Sequence, residues 1–195
     1  MKILILASGR GSNAKAIIEG VKSGQIPNSE VCALVSDHAD APALGVAASL
    51  GVKSVYLDPQ RKGARFSNEG ECLYLENFSF YSADLIVLAG FMRIFSPEMI
   101  RPYERRIINL HPSLLPKYKG IDAIGQTWNS GDRFGGCTVH FVSAELDGGE
   151  IIANAKVERL PGDTLESFTE KIHAAEHKLL PGVVRKIALG EIEIG

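Results

Sequence analysis

The sequence predicts an α/β protein with a mostly parallel, doubly wound, Rossmann-like sheet and an antiparallel C-terminal portion. In the first half, apolar runs of strand length alternate with segments of helical spacing from the first residue onward. A turn rich in glycine and serine, Ser8–Ser12, separates the first such run from the first helical segment. In the second half, Cys137–Val142 and Ile151–Val157 are predicted strands on either side of Asp147-Gly148-Gly149, which indicates antiparallel pairing.

Short continuous apolar runs predict strands that are buried on both faces of the sheet. The predicted strands of the first half are Lys2–Ala7, Val31–Val35, Lys53–Leu57, Leu85–Leu88 and Ile107–Leu110. The predicted helices are Asn13–Ser23, Ala43–Leu50, roughly Ser67–Phe80, and a short one near Pro97–Arg101. Ile17, Ile18 and Val21 fall on one side of the first helix, the side expected to face the sheet.

A long amphipathic helix is predicted near the end of the chain. Asp163 with Glu166 three residues later is similar to a capping box at its start. Pro181 is expected to kink or end this helix because proline removes a backbone donor. No internal repeat or linker is visible, so residues 1–195 are expected to form one domain. The apolar stripe of the helix comprises Leu165, Phe168, Ile172, Ala175 and Leu179.

Composition narrows the class of protein. A formal net charge of −2 argues against duplex nucleic acid as the main partner. The cysteines Cys32, Cys72 and Cys137 are odd in number and widely spaced, which favours reduced thiols in the cytoplasm. No apolar run approaches the roughly 20 residues that a membrane-spanning helix needs. The expectation is therefore a cytoplasmic protein that binds neither nucleic acid nor membrane.

The stretch Asn109–Pro116 carries the strongest chemical signal in the sequence. It follows the end of a buried strand, and Pro112 biases His111 away from helical dihedral angles. Asn109 and His111 are two residues apart on an extended segment, so their side chains point the same way. A carboxamide beside an imidazole at a strand end is suited to a reactive centre. The alternative is a histidine that caps a turn beside an asparagine that bonds local backbone.

The segment Ser8–Asn13 lies between the first strand and the first helix. Its two glycines let the backbone approach an anion, and the amides at the helix start bind it. Its final Ser-Asn pair is suited to a phosphate monoester, so a phosphate site is favoured. With Ala14 the segment also fits a dinucleotide fingerprint, in which Asp37 after the second strand is the ribose-binding acid. A plain tight turn is the third alternative.

Two further patterns leave alternatives open. The run from His173 to His177 matches H-x-x-E-H, the inverted zinc-protease signature, but no obvious third ligand follows it. A helix end that contacts substrate is favoured there, with solvated surface as the remaining alternative. Asp147 in its Asp-Gly-Gly turn is either an ordinary turn residue or a carboxylate that orients His111 and favours its protonated form.

Four segments together resemble the glycinamide ribonucleotide formyltransferases, a family of the folate-dependent formyltransferase superfamily. The segments are Ser8–Asn13, Leu88–Ile94, Asn109–Tyr118, and Thr138–Val142 leading to Leu146–Gly149. They occur in the family's order and cover almost the whole chain. The chain departs from the family at Arg65–Glu69, where an arginine that meets the folate tail is displaced or lost.

The resemblance implies an activity. A formyl group moves from 10-formyltetrahydrofolate to the amine of glycinamide ribonucleotide in purine (IMP) biosynthesis, without a metal and in a monomer or homodimer. It also implies an N-terminal phosphate-binding half, about residues 1–105, and a C-terminal catalytic and folate-binding half, about 106–195.

The resemblance further implies a role for particular residues. Asn109, His111 and Asp147 are the implied catalytic group. The implied substrate ligands are Gly11, Ser12 and Asn13 for the phosphate and Glu176 for the ribose. The implied folate-binding residues are Met92, Arg93, Ile94, Phe95 and Asn109. Some members carry histidines at the positions of Asp122 and Ile124, and other polar residues at that of His173.

Overall fold

Seven strands form one sheet in the computed structural model, which describes residues 1–195. They are β1 (Lys2–Leu6), β2 (Glu30–Ser36), β3 (Ser54–Tyr56), β4 (Leu85–Leu88), β5 (Ile107–His111), β6 (Phe134–Phe141) and β7 (Ile151–Glu158). Their order across the sheet is β3-β2-β1-β4-β5-β6-β7. The strands from β1 to β5 pair in parallel, whereas β6 pairs antiparallel with both β5 and β7. The predicted fold class is therefore confirmed.

Six α-helices and one 3-10 turn connect the strands. The helices are α1 (Ser12–Lys22), α2 (Pro42–Ser49), α3 (Asn68–Phe80), α4 (Pro97–Ile100), α5 (Ala123–Asn129) and α6 (Leu165–Ala188), and the 3-10 turn is Arg101–Tyr103. The helices predicted in the first half are present, with ends that differ by no more than one residue. None of the six is both long enough and apolar enough to span a bilayer.

The core has two parts because the sheet is covered on both faces. Side chains alternate along β1, so Ile3 and Ile5 join one apolar cluster while Leu4 and Leu6 join the other. The first cluster contains residues of α1, α2 and α6, and the second contains an aromatic group. That group comprises Phe66, Tyr74, Phe78, Phe91, Phe95 and Tyr103. Burial on both faces explains why β4 is apolar at every position and why β1 is apolar from Ile3 to Leu6.

The start of α6 differs from the prediction. The N-cap is Thr164, whose hydroxyl accepts from the Ser167 amide at 3.2 Å while its own amide donates to the Ser167 hydroxyl at 3.0 Å. The capping box is therefore built from Thr164 and Ser167, and the prediction of Asp163 with Glu166 was wrong by one residue. The Asp163 carboxylate instead accepts from the Leu160 amide and from Lys171, at 2.7 Å each.

Pro181 neither ends α6 nor prevents two further turns, since the helix continues to Ala188. A proline inside a helix costs about 3 kcal/mol or more. Beyond it, Val183, Val184 and Ile187 are buried in the core, and each such burial contributes roughly 1.5–3 kcal/mol. The sum of these contributions exceeds the cost of the proline, so packing keeps the helix intact.

Candidate active site

Asn109, His111 and Asp147 meet at the end of β5. The asparagine and histidine alternate with Leu110 along the strand and therefore share one face, while Asp147 comes from the loop between β6 and β7. The distance from Asn109 Nδ2 to Asp147 Oδ1 is 3.5 Å, and that from His111 Nδ1 to Asp147 Oδ2 is also 3.5 Å. The structure thus brings Asp147 to two strand residues that are distant from it in sequence.

His140 is a fourth member of this group that sequence reasoning missed. It lies opposite Asn109 in the β5–β6 pair, with its Nε2 3.1 Å from Asn109 Nδ2 and 3.7 Å from Asp147 Oδ1. His140 Nδ1 is 2.8 Å from the Phe141 carbonyl oxygen, which can only accept. Nδ1 therefore carries a proton, and Nε2 faces both the Asn109 amide and the Asp147 carboxylate. Only the strand register reveals this contact, because the sequence fixes no partner for a residue of β6.

Asp147 is a buried carboxylate that stays ionised. Burial alone raises its pKa, but hydrogen bonding and the nearby imidazoles of His140 and His111 outweigh that effect. The Gly120 amide contributes by donating to Asp147 Oδ2 at 2.8 Å. The net result is a pKa below the usual value for aspartate. The cluster therefore contains a permanent negative charge at neutral pH.

The loop after β5 holds the other side of the His111 ring. His111 Nε2 donates to the Tyr118 carbonyl at 2.8 Å, and His111 Nδ1 faces Asp147, so both ring nitrogens face acceptors. The imidazolium, with two N–H donors, satisfies this arrangement. The buried hydroxyl of Ser113 supports the loop by donating to the Lys117 carbonyl at 2.6 Å. Thr138 in turn donates to the Ser113 carbonyl at 2.7 Å.

The predicted phosphate segment forms the entry to α1. Gly11 is its N-cap and has a left-handed backbone with φ of 79°. A Cβ at this position would lie 2.7 Å from Ala43 Cα, so only glycine fits. Ser12 and Asn13 are the first two residues of the helix, where free backbone amides accumulate. The segment thus places a left-handed glycine directly before the free amides of a helix N-terminus.

Glu176 reaches this segment from α6. Its carboxylate is buried and accepts from Asn13 Nδ2 at 3.0 Å and from His173 Nδ1 at 3.0 Å. Arg10 Nη2 lies 3.4 Å from the other ring nitrogen of His173. Asn13, His173 and Glu176 are therefore bonded to one another across α1 and α6. The zinc interpretation uses His173, and the substrate-binding interpretation uses Asn13 and Glu176. This network gives His173 and Glu176 polar partners without a metal ion.

Asp37 is not free to bind a ribose. Its carboxylate accepts from the Ser8 hydroxyl at 2.6 Å and from Arg93 Nε at 2.6 Å, and only 4% of the residue is exposed. The dinucleotide interpretation assigned the ribose to this carboxylate. Because both of its oxygens are already paired with groups of the protein, the geometry favours the phosphate interpretation of the neighbouring segment.

The four residues Met92, Arg93, Ile94 and Phe95 occupy different environments. The Arg93 guanidinium turns back to Asp37 and to the carbonyls of Arg61 and Gly63. Phe95 is buried in the aromatic group of the core, whereas Met92 is 63% exposed.

A single cavity of about 520 Å³ connects all of these segments. Gly9–Asn13, His173 and Glu176 line one part of it. Leu88–Phe95 and the loop residues 142–147 line another, and Asn109, His111 and His140 lie on the same surface. A ligand that contacts the phosphate segment and a ligand along the apolar Leu88–Phe95 segment can therefore both reach the Asn109–His111–Asp147 group.

Comparison with known proteins defines the class. Residues 1–184 match the family model for formyl transferase. The chain is 39% identical over 194 residues to the phosphoribosylglycinamide formyltransferase of Escherichia coli (strain K12), covering 100% of this chain and 90% of that protein. It is 37% identical to part of the trifunctional purine biosynthetic protein adenosine-3 of Gallus gallus, of which it spans 19%.

Solved structures agree with these relatives. Glycinamide ribonucleotide transformylase 1 from Symbiobacterium toebii has a TM-score of 0.92 at 39% identity, covering 100% of this chain and 91% of that chain. Phosphoribosylglycinamide formyltransferase from Anaplasma phagocytophilum has a TM-score of 0.90 at 34% identity, with coverage of 100% and 90%. The fold and the site thus define a formyl transferase. Within that class, the chain belongs to the phosphoribosylglycinamide formyltransferase family.

Proposed function

We propose that this protein transfers a formyl group from 10-formyltetrahydrofolate to the primary amine of glycinamide ribonucleotide, a step of purine synthesis. The observation that carries the proposal is one cavity that holds both the Ser8–Asn13 segment and the Asn109–His111–Asp147 group. Relatives that match the chain over its full length carry the corresponding name. The cluster supplies the chemistry, and the segment at the start of α1 supplies a place for a phosphate.

Both halves of the chain contribute residues to each substrate. Residues of about 1–105 contribute the phosphate segment, in which Gly11, Ser12 and Asn13 offer backbone and side-chain donors. Residues of about 106–195 contribute the catalytic group, together with Glu176, whose carboxylate suits the hydroxyl groups of a ribose. The apolar Leu88–Phe95 segment, with Met92 exposed beside the cavity, suits the flat ring system of a folate.

The reaction needs no nucleophile from the protein. The amine nitrogen attacks the formyl carbon, a new C–N bond forms, and the carbonyl oxygen becomes an oxyanion in a tetrahedral intermediate. The bond from that carbon to N10 then breaks, the amine loses one proton, and N10 gains one. Holding the two substrates together accounts for a large part of the rate because a bimolecular reaction becomes effectively unimolecular.

The oxyanion is the charge that the site must stabilise. The Asn109 amide and the His111 imidazolium are donors whose contacts with Asp147 are both 3.5 Å long, at the weak limit for hydrogen bonds. Turning these N–H groups from Asp147 to an oxyanion therefore costs little. One such donor is typically worth about 10²–10³-fold in kcat.

Proton transfer uses the ionised carboxylate. The ionised Asp147 lies 3.5 Å from His111 Nδ1, where its negative charge stabilises an imidazolium that gives a proton to the departing N10. The proton lost by the amine reaches Asp147 directly or through one water, and from there returns to His111. The backbone carbonyl of Tyr118 keeps the ring in place throughout.

The test is a spectrophotometric assay of 10-formyltetrahydrofolate consumption with and without glycinamide ribonucleotide, in the presence of a chelator. We expect consumption only when the ribonucleotide is present, and no loss of rate on chelation. Asn109→Ala should lower kcat by about 10²–10³-fold with little change in either KM. Rapid consumption without the ribonucleotide indicates a hydrolase instead, and loss of activity with the chelator indicates a metal enzyme.

A further inference from the structure

Two arginines line the cavity, and only one of them has a carboxylate partner. Arg93 is buried against the Asp37 carboxylate, with 9% of its side chain exposed. Its charge is therefore cancelled within the protein. Arg10 lies between the two glycines of the phosphate segment, is exposed, and has no carboxylate within ion-pair distance. No lysine lines the cavity, so Arg10 is its one permanent positive charge without a negative partner.

A chain of hydrogen bonds orients Arg10. The Glu176 carboxylate can only accept, so the His173 nitrogen 3.0 Å from it, Nδ1, carries a proton. In the neutral ring the other nitrogen, Nε2, is then an acceptor for Arg10 Nη2 at 3.4 Å. The Asn13 amide donates to the same Glu176 oxygen at 3.0 Å. This chain of contacts holds Arg10 close to Asn13 and Glu176, which the proposed function assigns to the ribonucleotide.

The contact with His173 uses only one of the donors of the Arg10 guanidinium. At 3.4 Å the contact between Arg10 and His173 is long for a hydrogen bond, and the guanidinium keeps its other donors free. The backbone amides, the Ser12 hydroxyl and the Asn13 amide of the phosphate segment are all uncharged. A phosphate monoester carries close to two negative charges at neutral pH. A guanidinium that makes two parallel hydrogen bonds is the side chain best suited to balance them.

We propose that Arg10 is a ligand of the substrate phosphate and that His173 is a positioning residue that holds its guanidinium over the phosphate segment. The inference rests on the proposed function and extends it, because it assigns the charge-balancing group and a role for a histidine that performs no chemistry. Arg10 acts on binding of the phosphate and not on the formyl transfer itself.

The experiment compares two acceptors, glycinamide ribonucleotide and its dephosphorylated riboside, in wild type and in Arg10→Gln. We expect the variant to lower kcat/KM for the ribonucleotide by roughly 10- to 100-fold, the range for a hydrogen bond between charged groups. The riboside value should change less than about threefold, since the lost contact is to the phosphate. Arg10→Lys should recover part of the loss, because a point charge remains but the paired donors do not.

Lys15→Gln is the matched control. Lys15 is an exposed cation on α1 that pairs with Glu19 and does not line the cavity. Lys15→Gln removes the same charge from the first turn of α1, a few residues after Arg10. A general effect of the protein's electrostatic field therefore appears in both variants, and a specific phosphate contact appears only in Arg10→Gln. Equal losses in the two variants, or equal losses for ribonucleotide and riboside in Arg10→Gln, overturn the proposal.

The role of His173 is tested by a double-mutant cycle on the ratio of the two kcat/KM values. His173→Ala alone should reduce this ratio, but should have no further effect when added to Arg10→Gln, because there is then no guanidinium to position. If each substitution lowers this ratio by its own factor and the two factors multiply in the double variant, His173 does not act by positioning Arg10. Wild-type protein that transfers no formyl group to either acceptor refutes the proposed function, whereas active wild type with an unaffected Arg10→Gln refutes only this inference.

Discussion

At Asp147, burial and hydrogen bonding act in opposite directions on one carboxyl group. Burial raises the pKa, while the His140 and His111 rings and the Gly120 amide lower it further than burial raises it. The backbone of Asp147 is left-handed, with φ of 49°, a conformation that aspartate tolerates better than most residues. The following Gly149 cannot be replaced, since a Cβ there would lie 1.8 Å from the Phe141 carbonyl oxygen. The turn and the charge are therefore built together.

The lowered pKa gives a prediction for Asp147→Asn. A group with a depressed folded pKa contributes stability that is fully present above its usual pKa and is lost as the pH falls through the folded value. The contribution of the carboxylate to the unfolding free energy, measured as the difference between wild type and variant, should thus be lost only below about pH 5. The variant should lower kcat by about 10²–10⁴-fold, the contribution of a positioned acid–base system.

Urea unfolding at several pH values, alongside steady-state kinetics, measures both quantities. A stability difference that shrinks between neutral pH and pH 5 contradicts a lowered pKa. Near-normal turnover in Asp147→Asn reduces the residue to an ordinary turn former.

At the scale of elements, the Arg93–Asp37 pair joins the end of β2 to the segment that follows β4. Ser8, after β1, bonds to the same carboxylate and accepts from the Met92 amide at 2.9 Å. Three neighbouring parallel strands therefore share one polar cluster at their carboxyl ends. This cluster fixes the segment that lines the cavity, and the Arg93 guanidinium supports that segment.

Arg93→Met should for that reason destabilise the fold. It leaves the buried Asp37 carboxylate without its cation, which costs about 3–5 kcal/mol. Adding Asp37→Asn should restore part of the lost stability, because it removes the unpaired carboxylate charge and still leaves an acceptor for the Ser8 hydroxyl. Chemical unfolding of the single and double variants checks the prediction. Unchanged stability combined with weaker folate binding instead places the guanidinium on the folate.

At the scale of the whole molecule, the sequence predicted what depends on local pattern. The parallel half follows from apolar runs that are buried on both faces, and the shared face of Asn109 and His111 follows from the two-residue repeat of a strand. The missed features depend on tertiary contacts. His140 joins the site only through the register of β5 with β6. Helix α5 is short and begins at a left-handed Asp122, and α6 passes Pro181 because distant packing outweighs its local cost.

The central claim is that the Asn109–His111–Asp147 group moves a formyl group directly between two bound substrates. A single-turnover experiment with isotopically labelled formyl donor, quenched at short times, tests it most directly. Direct transfer predicts that the label lost from 10-formyltetrahydrofolate equals the label gained by the amide of the ribonucleotide product, with none on the protein at any time. Label that appears first on the protein, or that leaves as formate when the ribonucleotide is bound, contradicts it.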